Sequence, residues 1–319
     1  AWGSWRYVEL PFRRRTHPDS AWSARLATAC GVVVLALSHW LGDATISSAQ
    51  TGKPVAQVLP PVVKQLVADT TNSPGIACEG ADNVQQIARN GGGCTVGDAP
   101  GDALPAFALV GDSHARMYTE AARAAALDSR VNALVLARSS CIPVLDLSPP
   151  TRHLCRDLTA ATFDYLVHSP VRKVVLVGYW IDILLDPELS DRLKPALFAA
   201  LDRLLRADKS VFLMLDVPLL ASNELPFRSA VDSVRRRGAE ISGPSLSQHY
   251  ETQRRVMELV DAFPGRDRIV VLDPAPFLCP RGGCLVADEG QTLYRDRHHL
   301  TDTASMRLRQ IFLDVIAHP

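Results

Sequence analysis

The sequence predicts an α/β fold in which helices cover both faces of a parallel sheet. From residue 106 onward, short apolar runs rich in β-branched residues alternate with segments of helical periodicity. Strands that alternate with helices are joined by right-handed crossovers, which place the strands parallel in one sheet. The chain has 319 residues and is 47% hydrophobic, enough for a core of this kind. We therefore expect one three-layer α/β/α domain over residues 106–319.

Five apolar runs are predicted to form the strands of this sheet: 106–111, 131–137, 171–180, 210–218 and 268–274. The segments between and after them are predicted to be helices: 114–127, 156–168, 190–207, 245–262 and 302–317. Ligands of such sheets bind beyond the carboxyl ends of the strands. The turn that follows the first run is therefore a candidate site.

Residues 26–42 form an apolar run without a charged side chain, barely long enough to cross a bilayer. Arginines precede it and Asp43 follows it, which places residues 1–25 in the cytoplasm and the rest of the chain outside. A buried core helix and a cleaved signal peptide remain alternatives. We expect a single transmembrane helix over 26–42, a linker over 43–105 and an extracytoplasmic domain at an inner or plasma membrane.

Six of the seven cysteines fall into couples that are close in sequence: Cys78 with Cys94, Cys141 with Cys155, and Cys279 with Cys284. None of these couples has the C-x-x-C spacing of a zinc site or a redox dithiol. Disulfides formed in an oxidising compartment are the favoured interpretation, and free buried thiols are the alternative.

The charge balance gives no reason to expect nucleic acid as a partner, since 34 basic residues face 34 acidic ones. No Gly-rich phosphate loop and no metal-ligand spacing stands out in the sequence. We therefore expect neither a bound nucleotide cofactor nor a metal ion.

The first predicted strand ends at Gly111, the first residue of a Gly-Asp-Ser-His turn at 111–114 that leads into a helix-forming segment. At such a turn Ser113 would lie close to backbone N–H groups that stabilise a developing oxyanion. The alternative is that Asp112 or Ser113 simply caps the helix. A nucleophilic serine also needs a base and a group that orients the base.

A candidate base and a candidate orienting group lie near the end of the chain, where Asp296 and His299 form Asp-x-x-His before the last predicted helix. This spacing lets the carboxylate fix the tautomer of the imidazole. The neighbouring His298 is the alternative base, but the Asp-x-x-His register favours His299.

Together these motifs resemble the SGNH (GDSL-like) hydrolase superfamily, in particular the SGNH domain fused to membrane acyltransferase-3 proteins. The matching segments are 111–115, Ser-Ser-Cys-Ile-Pro at 139–143, the run 174–180 ending in Trp180, and 296–300. The stretch WRYVELPFRRR, residues 5–15, is similar to the end of the acyltransferase-3 membrane part.

The resemblance implies an SGNH-hydrolase-like fold and a Ser-His-Asp triad, with Ser113 as nucleophile, His299 as base and Asp296 as its orienting partner. It implies O-acyl transfer, usually of acetyl, to a hydroxyl of an envelope polysaccharide or similar glycan. The acyl donor, an acetyl group derived from acetyl-CoA, would be supplied through a membrane acyltransferase-3 core in the same longer chain or a partner. An esterase with the same triad is the alternative.

Two features of the family are missing from the sequence. The wider superfamily has a glycine in its second block and an asparagine in its third, and both lend donors to the oxyanion hole. Here Ser139 and Ser140 follow the second strand, and Gly178-Tyr179-Trp180 follows the third. The Ser113 amide is therefore the one hole donor that we predict, with a Ser139 or Ser140 amide as a further candidate.

Overall fold

A six-stranded sheet lies at the centre of the computed structural model, which describes residues 84–100, 103–147, 153–222, 240–289 and 291–319, together with Cys78, Pro226, Ser229 and Ala230. The strands are β1 (Cys94–Gly97), β2 (Pro105–Gly111), β3 (Asn132–Ala137), β4 (Lys173–Val177), β5 (Ser210–Met214), β6 (Ile241–Ser245), β7 (Ile269–Leu272), β8 (Gly283–Asp288) and β9 (Gln291–Thr292). The central sheet has the order β1-β3-β2-β4-β5-β7. Its last five strands are parallel, and each lies within or overlaps one of the five predicted runs, although 171–180 and 210–218 extend beyond the strands that they contain. The predicted α/β class is confirmed.

The helices pack on both faces of this sheet. They are α1 (Val84–Asn90), α2 (Ser113–Arg116), α3 (Thr119–Ser129), α4 (His153–His168), α5 (Trp180–Leu185), α6 (Ser190–Arg206), α7 (Leu246–Asp261), α8 (Ala275–Leu278), α9 (Asp302–Met306) and α10 (Arg309–Ala317). Two predicted helices are interrupted: 114–127 divides into α2 and α3, and 302–317 divides into α9 and α10.

Alternate residues of β2 point to opposite faces of the sheet and belong to two different hydrophobic cores. Phe107 and Leu109 belong to a core cluster with residues of α3, α9 and α10, whereas Ala108 and Val110 belong to a second cluster with residues of α4, α6 and α7. Strands that are buried on both faces have the nearly continuous apolar sequence seen here. The three layers predicted from the sequence are confirmed.

Two parts of the fold were not predicted. Strand β1 adds an antiparallel edge beside β3, and β6, β8 and β9 form a separate antiparallel sheet. Strand β6 reads Ile-Ser-Gly-Pro-Ser, and glycine and proline are depleted in strands. Its sequence therefore gives no strand signal.

The strand order favours a ligand site at the carboxyl ends of β2 and β4. The chain passes from β2 to β3 on one side of β2 and then crosses to β4 on the other side. Where connections leave neighbouring strands in opposite directions, the loops separate and leave room for a ligand. The loops that follow β2 and β4 are therefore the expected position of a site.

All three predicted cysteine couples are disulfides: Cys78–Cys94, Cys141–Cys155 and Cys279–Cys284. They tie the start of β1, the loop after β3 and the start of β8 to neighbouring segments. Within the described residues, no helix combines the length and the apolar character that a membrane crossing needs. The predicted span 26–42 and its flank 1–25 lie outside the described residues, and the predicted domain boundaries remain a prediction.

Candidate active site

The turn after β2 is held by a close approach of two strands. A side chain at Gly111 would place its Cβ 1.7 Å from the carbonyl oxygen of Val177 in β4, so only glycine fits there. Asp112 is the N-cap of α2, because its Oδ1 accepts a hydrogen bond of 2.7 Å from the amide of His114. Since Asp112 does the capping, the hydroxyl of Ser113 is left for other contacts.

The structure brings the three predicted site residues together. Ser113 Oγ lies 2.8 Å from Nε2 of His299, and Nδ1 of His299 lies 2.7 Å from Oδ2 of Asp296. The distance between Ser113 and His299 falls within the range that proton transfer to a general base requires. Ser113 comes from the start of α2 and the other two residues come from the loop before α9, so the fold joins segments 186 residues apart.

The Asp296 loop is fixed by its own carboxylate. Oδ1 of Asp296 accepts hydrogen bonds from the backbone amides of His298 and His299, at 2.9 and 2.8 Å. The loop then ends at Thr301, whose hydroxyl caps α9 by accepting from the amide of Ala304. Both ends of the loop are thereby anchored, which orients the imidazole of His299.

Asp296 is ionised in this setting. Burial raises the pKa of its carboxyl, but the hydrogen bond from His299, the electrostatic attraction to His299 and the hydrogen bond from the His298 amide together outweigh burial and hold the pKa well below its usual range. An ionised carboxylate can only accept a hydrogen bond, so Nδ1 of neutral His299 must carry the proton that is donated to Oδ2 of Asp296. Nε2 then carries a free lone pair toward the Ser113 hydroxyl, the arrangement that removes a serine proton.

Two buried aspartates hold the loop after β4. Oδ2 of Asp112 accepts from the amide of Tyr179 at 2.9 Å, while Asp216 accepts from the amides of Trp180 and Ile181 at 3.0 and 3.3 Å. Burial raises the pKa of Asp112 to about 6 and the pKa of Asp216 to about 8. These three successive amides point at carboxylates and are not oxyanion donors, whereas the roles of the Ser113, Ser139 and Ser140 amides remain predictions.

Asp216 was missed by sequence reasoning, although its position carried a signal. It lies two residues beyond the end of β5, at the same edge of the sheet as the Ser113 turn. A buried acidic residue at the carboxyl end of a parallel strand is a candidate for a site role.

Two further histidines, His114 and His298, lie beside Ser113 and His299. Nε2 of His114 is 3.0 Å from Nδ1 of His298, and the planes of the two rings are nearly parallel. The ring of Tyr179 stacks on both imidazoles, with ring centroids 4.4 and 4.5 Å away. Burial lowers the pKa of His114 well below its usual value and lowers that of His298 to about 4, so both are neutral at neutral pH.

These histidines form a group with His299 whose ring nitrogens lie within 4.8 Å of one another, close enough to bind a metal ion. The nitrogens that face each other are already engaged, however. Nε2 of His114 and Nδ1 of His298 are hydrogen-bonded to each other at 3.0 Å, and Nε2 of His299 is hydrogen-bonded to Ser113. A metal ion would have to break these hydrogen bonds, so the geometry favours a hydrogen-bonded group.

Residues 77–314 match the model of the SGNH domain that is fused to AT3 domains. The chain belongs to this family. Among solved structures, it is similar to the periplasmic domain of the lipopolysaccharide acetyltransferase of Salmonella ser. Paratyphi A. The two share 14% sequence identity with a TM-score of 0.54, over 79% of this chain and 95% of that chain. No curated protein sequence gives a significant match. Family and fold support an enzyme of the acyl-transfer or esterase type.

Proposed function

We propose that the domain is a serine O-acyltransferase that moves an acetyl group to a hydroxyl of a cell-envelope polysaccharide, through an ester on Ser113. The observation that carries the proposal is the continuous line of hydrogen bonds from Ser113 through His299 to Asp296. Ser113 and His299 are only partly buried, so a donor ester and an acceptor can reach them.

In the first half-reaction, Oγ of Ser113 attacks the carbonyl carbon of the acyl donor, and its proton passes to Nε2 of His299. The bond between the acyl carbon and the leaving group breaks, and the leaving group takes the proton from His299. Asp296 keeps its negative charge throughout and stabilises the imidazolium. The products are the acyl ester of Ser113 and the free leaving group.

In the second half-reaction, a hydroxyl of the acceptor attacks the Ser113 ester and gives its proton to His299. The bond between the acyl carbon and Oγ breaks, and the proton returns to Ser113. Transfer prevails over hydrolysis when a bound acceptor outcompetes water, and orientation supplies effective concentrations of up to about 10⁵–10⁸ M. The acceptor must therefore be held beside Ser113.

The family and the structural neighbour support the setting of this reaction. Members of the family are SGNH domains fused to AT3 domains, and the neighbour is the periplasmic domain of a lipopolysaccharide acetyltransferase. We place the domain outside the cytoplasm, at an inner or plasma membrane. The acetyl group, derived from acetyl-CoA, would arrive through a membrane acyltransferase-3 part in the same longer chain or in a partner.

The proposal is tested by giving the full chain an activated acetyl ester together with a panel of envelope oligosaccharides. Acetylated oligosaccharide, measured by mass spectrometry, should exceed free acetate once the right glycan is present. Ser113→Ala should lower the rate of ester cleavage by about 10⁴-fold or more. The control is Ser190→Ala. Ser190 is the first residue of α6, as Ser113 is the first residue of α2, and its replacement should leave the rate unchanged.

Two outcomes would contradict the proposal in different ways. If Ser113→Ala cleaves the ester at the normal rate, Ser113 is not the nucleophile. If the wild-type protein cleaves the ester rapidly but yields only free acetate with every glycan, the domain is an esterase that uses the same Ser113 intermediate.

A further inference from the structure

Consecutive residues at the start of α2 meet consecutive residues of the Asp296 loop. Ser113 contacts His299, and His114 contacts His298. His299 reaches Oδ2 of Asp296 at 2.7 Å, and Nε2 of His298 lies 3.9 Å from Oδ1 of the same carboxylate. Two lines of side chains therefore run side by side to Asp296. The first line is Ser113 and His299, and the second line is His114 and His298.

The second line has a defined direction of hydrogen bonding. His114 is 1% exposed, and its Nδ1 is buried without a hydrogen-bond partner among the described residues. A buried N–H group without a partner is rarer than an unpaired acceptor. The proton of His114 therefore lies on Nε2, from which it is donated to Nδ1 of His298.

The tautomer of His298 follows from this contact. Because Nδ1 of His298 accepts from His114, the proton of neutral His298 must lie on Nε2, which is 3.9 Å from Oδ1 of Asp296 and therefore beyond hydrogen-bond distance but within reach of its charge. The negative charge of the Asp296 carboxylate attracts an N–H at this distance, so both sides of the His298 ring favour the same tautomer. Tyr179 stacks on both rings and keeps their planes nearly parallel.

We propose that His298, held by His114, is a positioning residue: its Nε2–H steadies Oδ1 of Asp296 so that Oδ2 stays aligned with His299. This rests on the proposed role of Ser113, because alignment of Asp296 matters only if His299 acts as its base. Oδ1 is also held by the amides of His298 and His299. The His298 N–H adds an electrostatic attraction to Oδ1 at 3.9 Å. His114 of α2 holds the other side of the His298 ring and therefore ties the loop to the helix that carries the nucleophile.

The tautomers are measured directly by nitrogen NMR on the full chain labelled with ¹⁵N at histidine. The expected spectrum shows His298 protonated at Nε2 and bare at Nδ1, and His114 protonated at Nε2. Signals are assigned by comparison with His298→Phe and His114→Phe. A proton on Nδ1 of His298 would overturn the proposal, and this readout does not depend on whether Ser113 is the nucleophile.

Kinetics of ester cleavage test the consequence for Asp296. His298→Phe keeps an aromatic ring for stacking on Tyr179 but removes the N–H, and should lower kcat by about ten- to a hundredfold with KM unchanged. His114→Phe should lower kcat similarly. Because His114 acts on Asp296 only through His298, kcat of the double variant should be no lower than kcat of the slower single variant.

The control is His168→Phe, which changes an exposed histidine on α4 and should leave kcat unchanged. Thermal unfolding of each variant separates a kinetic effect from a loss of folding. Unchanged kcat in a folded His298→Phe protein would overturn the positioning role, as would a double variant whose loss is the product of the two single losses. Normal ester cleavage by Ser113→Ala would instead count against the proposed function, whereas the tautomers measured by NMR test the His114–His298 contact by themselves.

Discussion

Three consecutive side chains after β2 make three different contacts. Asp112 caps α2, Ser113 faces His299, and His114 pairs with His298. The Gly-Asp-Ser-His motif predicted the position of this turn, but a motif does not say which of two polar side chains caps the helix. The pairing of His114 with His298 spans 184 residues and has no local sequence signal. It follows only from the tertiary fold.

At this scale the charge of Asp296 is open to a direct test. In Asp296→Asn the amide NH₂ can donate to Nδ1 of His299, which moves the imidazole proton to Nε2 and removes the acceptor for the Ser113 proton. We expect kcat for ester cleavage to fall by about 10⁴-fold with a small change in KM. Asp157→Asn, at an exposed position of α4, is the matched control. Activity within tenfold of the wild type would show that the carboxylate charge is not needed.

Among the elements, those with strong periodic patterns were predictable and those without were not. Helix α6 was predicted at 190–207 and spans Ser190–Arg206, because its apolar residues recur on one face that packs against the sheet. The loop after β4 was read as part of a strand, 171–180, yet the strand ends at Val177. The amides that follow turn toward Asp112 and Asp216 instead of a neighbouring strand, and the sequence near β4 contains neither carboxylate.

The contact between Asp216 and the start of α5 predicts how stability depends on pH. The folded-state pKa of Asp216 is raised to about 8, compared with an ordinary value of about 4 in the unfolded chain. Between these values the folded protein binds more protons than the unfolded chain, so the contribution of Asp216 to the free energy of unfolding falls as pH rises.

Asp216→Asn removes this dependence. The free energy of unfolding of the variant, relative to the wild type, should therefore increase from about pH 5 to about pH 7.5, by at most about 1.4 kcal/mol per pH unit. Urea unfolding at the two pH values measures it, with Asp202→Asn on the exposed side of α6 as control. A difference between variant and wild type that stays constant with pH would show that Asp216 is ionised in both states.

At the scale of the whole domain, one edge of the sheet brings together candidate site residues from distant parts of the chain. The Ser113 turn follows β2, the loop held by two aspartates follows β4, Asp216 follows β5, and the Asp296 loop precedes α9. The sequence predicted the Ser113 turn at this edge, because ligands of parallel sheets bind at the carboxyl ends of the strands. It predicted neither the loop after β4 nor Asp216 as parts of the site. It did not predict that α1 and β1, which precede residue 106, pack against α4 and β3. Their patterns are short, and Cys78–Cys94 rather than a periodic apolar face marks the segment.

The three disulfides should contribute unequally to the stability of the domain. A disulfide constrains the unfolded chain more strongly when it closes a longer loop. The cysteines are separated by 16 positions in Cys78–Cys94, 14 in Cys141–Cys155 and 5 in Cys279–Cys284. Replacing both cysteines by alanine should lower the free energy of unfolding by about 3 kcal/mol for either longer loop and about 2 kcal/mol for the short one. Urea unfolding of the three double variants measures this order. If the Cys279/Cys284 variant is the least stable, local packing at β8 outweighs loop closure, because loop length alone ranks that pair last.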